Sequence, residues 1–179
     1  MLIKTITPQQ FVDGGYMRKG CTAMFICLHC GFIKKRGTRS SYTCPVTNCN
    51  RTMVRVSSRM REIAFLMHNM GYLISRAEDN LITKAEDYII AVVNLEFARE
   101  YNVQVLPNIP RDYSYIGFDG DYGRQSRIIY TTELIALSGH EKYTPRQVLN
   151  NKIRILRNWA LDINFSDMTY VWRLANLLD

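Results

Sequence analysis

The sequence predicts an α+β protein: a small cysteine-bearing ribbon at the N-terminal end, followed by a mixed helix and antiparallel-sheet domain. Three observations carry that expectation. Cys27, Cys30, Cys44 and Cys49 stand in two close pairs within one short segment. Between residues 51 and 132, short runs either alternate polar with apolar or concentrate β-branched and aromatic side chains, as strands do. Near the C-terminal end, Thr144-Pro145-Arg146-Gln147 opens a stretch whose apolar residues recur at helical spacing. At 179 residues and 47% hydrophobic content the chain can bury a real core. The expected organisation is an N-terminal segment 1–20, a ribbon over 21–56 and an α+β domain over 57–179.

The apolar run Cys21-Thr22-Ala23-Met24-Phe25-Ile26 leads into the first cysteine pair, with Cys21 read as a small buried residue. The pairs form the pattern C-x2-C-x13-C-x4-C. Two or four intervening residues bring both thiolates to one side of a tight turn, and two such knuckles facing each other supply the tetrahedral sulfur shell of structural zinc. One zinc ion held by Cys27, Cys30, Cys44 and Cys49 is the expected cofactor, ahead of an iron centre. His29, inside the first knuckle, is expected to point away from it. The chain opens Met1-Leu2-Ile3-Lys4-Thr5-Ile6-Thr7-Pro8, without the charged-then-apolar pattern of a secretion signal. The expected location is therefore cytoplasmic, where reducing conditions favour metal binding over disulfides.

Residues 31–43 read as a strand leaving the first knuckle, a basic turn and a strand entering the second. Residues 51–56 alternate as the half-buried strand that leaves it. This is the layout of a zinc ribbon. Lys34, Lys35, Arg36 and Arg39 are expected at its hairpin tip, and Phe32 and Tyr42 either offer stacking faces to bases or pack the ribbon's small core.

Charge is concentrated on this segment. Residues 1–62 carry eleven basic side chains against two acidic ones, whereas the remainder carries twelve basic and fourteen acidic. Such a field attracts phosphates or an acidic protein surface, unless it is only a solvated face. The candidate nucleic-acid contacts are Lys34, Lys35, Arg36, Arg39, Arg51 and Arg55.

The segment Tyr42-Thr43-Cys44-Pro45-Val46-Thr47-Asn48-Cys49-Asn50-Arg51-Thr52-Met53 resembles the second half of the zinc finger in phage late-transcription activators of the Ogr/Delta type, and Cys27-Leu28-His29-Cys30 is similar to the first knuckle. The likeness covers the ribbon alone. The spacer here is shorter than in that family, and the family has nothing like the long C-terminal part. The resemblance implies ligation by Cys27, Cys30, Cys44 and Cys49, contact of the surrounding basic surface with DNA or RNA polymerase, and a viral or prophage origin.

Beyond the ribbon, Ser57 or Ser58 is positioned to cap a helix running to about Met70, with Met60, Ile63, Ala64, Met67 and Met70 on one face and Gly71 ending it. Arg59 and Arg61 in its first turn oppose the helix dipole, a placement that an anion or acidic partner would relieve. Residues 72–75 and 88–93 read as strands and 106–110 as a loop. Residues 113–118 and 127–132 flank Asp119-Gly120-Asp121-Tyr122-Gly123, a hairpin turn whose spacing does not fit an EF-hand loop. The helix opened by Thr144 places Val148, Leu149, Ile153, Leu156, Trp159 and Ala160 on one face. A second, from about Ser166, aligns Met168, Val171, Trp172, Ala175 and Leu178 for docking on the core or on a second copy as a homodimer.

Catalysis finds little support. There is no Walker loop, G-x-S-x-G elbow or H-E-x-x-H, and His29, His68 and His140 lie in unrelated settings. Glu78, Asp79, Glu86 and Asp87 are either ligands for a nuclease-type metal or surface carboxylates of a loop. No apolar stretch approaches the roughly 20 residues that cross a bilayer. The expectation is a binding protein with DNA, RNA or RNA polymerase as partner. The alternative is a module that captures a host protein, its ribbon purely structural.

Overall fold

Strand-forming segments from both halves of the chain join one sheet in the computed structural model, which describes residues 23–37, 41–72, 74–85, 88–97, 109–117, 127–136 and 143–178. The strands are β1 (Ala23–Ile26), β2 (Ile33–Gly37), β3 (Val54–Val56), β4 (Ile74–Ala85), β5 (Tyr88–Phe97), β6 (Ser114–Gly117) and β7 (Arg127–Ala136). Their order is β2-β1-β3-β4-β5-β7-β6. Every neighbouring pair is antiparallel except β3 and β4, which run parallel with Arg55 opposite Arg76 and Val56 opposite Ala77. Helices α1 (Arg61–Asn69) and α2 (Pro145–Leu178) complete an α+β fold, as expected.

The two helices pack on the sheet face that presents Ala77, Ala91, Val93, Leu95, Phe97, Ile129 and Ile135. Alternation decides the set, because successive strand side chains point to opposite faces. Ile26, Val54 and Val56 of the ribbon belong to the same core as Met60, Ile63 and Met67 and as Leu149, Leu156 and Trp159. The parallel β3–β4 junction thus continues both the backbone ladder and the core from the ribbon into the rest of the fold.

Several elements differ from the sequence reading. The strand expected over 72–75 is β4, which runs twelve residues and pairs with β5 from Ile74 opposite Phe97 to Ala85 opposite Tyr88. Glu78 and Asp79 lie within it and are buried, so they are not surface carboxylates of a loop. A full ladder on β5 satisfies backbone groups that a propensity argument leaves to solvent. Glu86 and Asp87 lie outside the described residues, as does the turn over 119–123. The hairpin itself is present, with Gly117 opposite Arg127.

The helix after the ribbon begins as a short 3-10 turn, Ser58–Met60, and Ser57 makes no side-chain cap. Its hydroxyl donates instead to the carboxylate of Asp79 on β4. Met60, Ile63, Ala64 and Met67 are buried on one face, and Gly71 ends the element at φ +92°. At the C-terminal end one helix stands where two are expected. No Gly or Pro follows Pro145 before Leu178, so the Ser166-Asp167 step lowers helix propensity without breaking the ladder. The side chains of the proposed dimer stripe lie outside the described residues. Among the described residues, no helix is long and apolar enough to cross a membrane.

Candidate metal centre and basic surface

Both knuckles are built by local backbone hydrogen bonds. In the first, the Gly31 amide donates to the Cys27 carbonyl and the Cys27 amide to the Phe32 carbonyl, each at 2.8 Å. Gly31 takes φ +82°, a left-handed turn conformation that glycine adopts without steric cost. In the second, the Cys44 amide donates to the Arg51 carbonyl at 2.8 Å and the Cys49 amide to the Val46 carbonyl at 3.0 Å. Asn48 and Asn50 supply the left-handed positions there, at φ 65° and 50°.

The turns bring Cys27, Cys30, Cys44 and Cys49 together, with all four Sγ atoms within 4.8 Å of one another. The separations are 3.6 Å for Cys27 to Cys49, 3.5 Å for Cys30 to Cys44 and 4.0 Å for Cys49 to Cys30. Bonds of about 2.3 Å in a tetrahedral thiolate shell give sulfur–sulfur edges of about 3.8 Å, so these residues fit such an ion. The four thiols are free. His29 is exposed and is not part of the group, and Cys21 lies outside the described residues.

The environment sets Cys27 and Cys44 apart. Burial raises Cys27, but the amides of Cys30 and His29, followed by the thiols of Cys30 and Cys49, outweigh it and bring Cys27 down to about 7. Burial pushes Cys44 up to about 12, against the Val46 amide. Close-packed sulfurs of this kind are not all ionised without a cation among them, which is the electrostatic demand that a bound metal meets.

A second, smaller core supports the site. Phe25, Cys27, Cys44 and Met53 are buried together, with Tyr42 and Cys49 against them. Phe25 and Tyr42 meet edge to face at a centroid distance of 4.7 Å. Tyr42 therefore packs the ribbon, whereas Phe32 stays 37% exposed.

Of the expected basic contacts, Lys34 and Lys35 are exposed on β2, one of the two end strands among the described residues, rather than at a hairpin tip. The Lys34 ammonium sits 5.0 Å from the Tyr42 ring centroid. Arg51 is exposed beside the second knuckle. Arg36 is also in β2, its side chain outside the described residues, as is Arg39 altogether.

Arg55 departs from the expectation. It is only 6% exposed and pairs with Glu78 through Nε and Oε1, so its charge is spent inside the sheet. No local pattern signals this pair, because the two residues meet only through the β3–β4 junction. Of the two dipole-opposing arginines, Arg59 also finds its counter-charge in the fold. Arg59 lies 4.0 Å from Asp79 and donates to Asn150 Oδ1 at 3.2 Å, and Arg61 reaches Met24 Sδ at 3.8 Å. The acidic partner for Arg59 is thus within the fold.

Compared with known protein families, characterised proteins and solved structures, the chain matches none. No family model links it to the Ogr/Delta-type activators.

Proposed function

We propose that the chain is a metal-stabilised binding protein in which Cys27, Cys30, Cys44 and Cys49 hold one structural zinc ion and the neighbouring cations contact nucleic acid. One observation carries the reading. Lys34, Lys35 and Arg51 are exposed beside the cysteine cluster, in a segment where no Asp or Glu occurs between Asp13 and Glu62. Their positive field is therefore uncompensated within the segment, and phosphates are the polyanion it suits best. The metal supplies no chemistry beyond holding the knuckles, whose turns set where the cations stand. The knuckle likeness to phage late-transcription activators supports a nucleic acid engaged with RNA polymerase, in the reducing cytoplasm of a host cell.

The test is binding of the zinc-quantified protein to labelled single- and double-stranded DNA and RNA across a salt series. Alanine at Lys34, Lys35 and Arg51 is expected to weaken binding uniformly across sequences and to flatten the log–log salt slope by about 0.7–0.9 for each lost phosphate contact. No binding at low salt, or an unchanged slope in the triple variant, overturns the proposal. The burial of Arg55 against Glu78 favours a second reading, a structural ribbon with partner capture elsewhere, and partner binding that the triple variant leaves intact would select it.

A further inference from the structure

At the other end of the strand order from the cysteines, a cavity of about 650 Å³ opens between the first turns of α2, β7 and the turn before β6. Its size falls in the range of roughly 300–1,000 Å³ that small ligands occupy. Four charged residues line it, Asp112, Glu133, Lys152 and Arg154, and the first three converge. Lys152 Nζ stands 3.8 Å from Glu133 Oε2 and 3.9 Å from Asp112 Oδ2, with the Lys152 and Glu133 side chains only 10% and 7% exposed. The fold holds them there firmly. Tyr113 Oη donates to the Lys152 carbonyl at 2.7 Å, and Thr131 Oγ1 donates at 2.8 Å to the carbonyl of Asp112, which takes a left-handed φ of 68°.

Both separations exceed hydrogen-bonding distance, so the ammonium and the carboxylates attract one another without exchanging a hydrogen bond. Lys152 and Glu133, being buried, call for further hydrogen-bond partners, whereas the Asp112 side chain is 48% exposed and reaches solvent. A group inserted between them must accept from the ammonium and donate to a carboxylate at once, and a hydroxyl does both. An anionic ligand would face Asp112 and Glu133, and a cationic one Lys152 and Arg154, so the balanced lining disfavours either sign. Asn150 and Asn151, whose Oδ1 atoms accept from Arg59 at 3.2 Å and from Arg154 at 2.7 Å, add amide N–H donors, and Tyr143, 50% exposed, offers a ring at the rim.

We infer that this cavity binds a compact, uncharged ligand bearing several hydroxyl groups, of the chemistry found in sugars and cyclic polyols. The geometry makes Lys152 and Glu133 its central contacts and Asn151 a peripheral one. The site is independent of the cysteine cluster, and no covalent step is involved.

Ligand-observed NMR by saturation transfer, on the 179-residue chain, tests this with D-glucose, D-ribose and myo-inositol as probes and acetate and inorganic phosphate as charged comparators. Transfer to at least one polyol is expected at millimolar concentration. Glu133→Gln and Asn151→Ala are each expected to weaken it, the former by about tenfold or more, the loss of one hydrogen bond to a charged group. Asn151 is exposed, so its variant keeps the test open should Glu133→Gln fail to fold. No transfer to any of the three polyols, transfer unaffected by Asn151→Ala, or preferential transfer to acetate or displacement by phosphate would overturn the inference.

Discussion

The absence of one methyl group keeps the ribbon's small core closed. A Cβ on Gly37 would meet Phe25 Cδ2 and Tyr42 Cε2 at 2.7 Å, and Phe25 is only 1% exposed, with no free volume to retreat into. Gly37→Ala is expected to lower stability by about 1–3 kcal/mol, read as a shifted denaturant midpoint at unchanged slope. Arg55 and Glu78 form the other single-residue dependence. Arg55→Met removes the guanidinium from a buried carboxylate and is expected to cost about 3–5 kcal/mol, whereas Arg55→Met with Glu78→Leu recovers most of that loss. His68 gives a pH signature. Burial first, then the charges of Arg51 and His29, hold it below the ordinary 6.5. The folded state thus binds fewer protons than the unfolded one just below 6.5, so its contribution is present above that pH and is lost on acidification. Comparing denaturation midpoints of the parent and His68→Gln across that window isolates the histidine's contribution.

At the scale of elements, α2 shows how completely local signals can specify a structure. Thr144 and Gln147 exchange the reciprocal capping bonds, Gln147 amide to Thr144 Oγ1 at 3.2 Å and Thr144 amide to Gln147 Oε1 at 2.8 Å. Thr144→Ala should cost about 0.5–2 kcal/mol, measured by thermal or chemical unfolding. The start of α2 was legible because both capping partners lie within one turn. Its length was not, because the Ser166-Asp167 step resembles a helix start when the uninterrupted ladder on either side is left out of account. The run 76–80 hid a strand for the opposite reason. Arg76, Glu78, Asp79 and Asn80 are poor strand formers, and only the neighbours on both sides, β3 and β5, supply the hydrogen bonds and charge partners that place them in a sheet.

For the whole molecule, the position of β3 matters most. Ile26, Val54 and Val56 share a core with Trp159 of α2, so the helices and the ribbon strands that carry the knuckles belong to one packed unit. Removing the metal with a chelator is therefore expected to lower the midpoint of the entire unfolding transition rather than to melt the ribbon alone. Each kcal/mol lost corresponds to about 2–4 °C in a chain of this size. Ribbon backbone protection by hydrogen exchange and tryptophan fluorescence should report one coincident transition. A ribbon that loses protection while fluorescence melts unchanged would show the two parts to be energetically separate.

The sequence by itself determined the α+β class, the clustering of four cysteines able to hold a metal ion, the first helix face and the capped start of the last helix. All depend on residues within a few positions of one another, where spacing translates directly into geometry. Only the tertiary structure decided that Arg55 is a buried ion-pair partner instead of a surface cation, that Arg59 finds its counter-charge in Asp79, and that Lys152, Glu133 and Asp112 converge on one cavity. Each of these rests on strands and helices far apart in the chain. Whether a charge meets solvent, a counter-charge or a cavity is set by strand order and register, which no local pattern encodes.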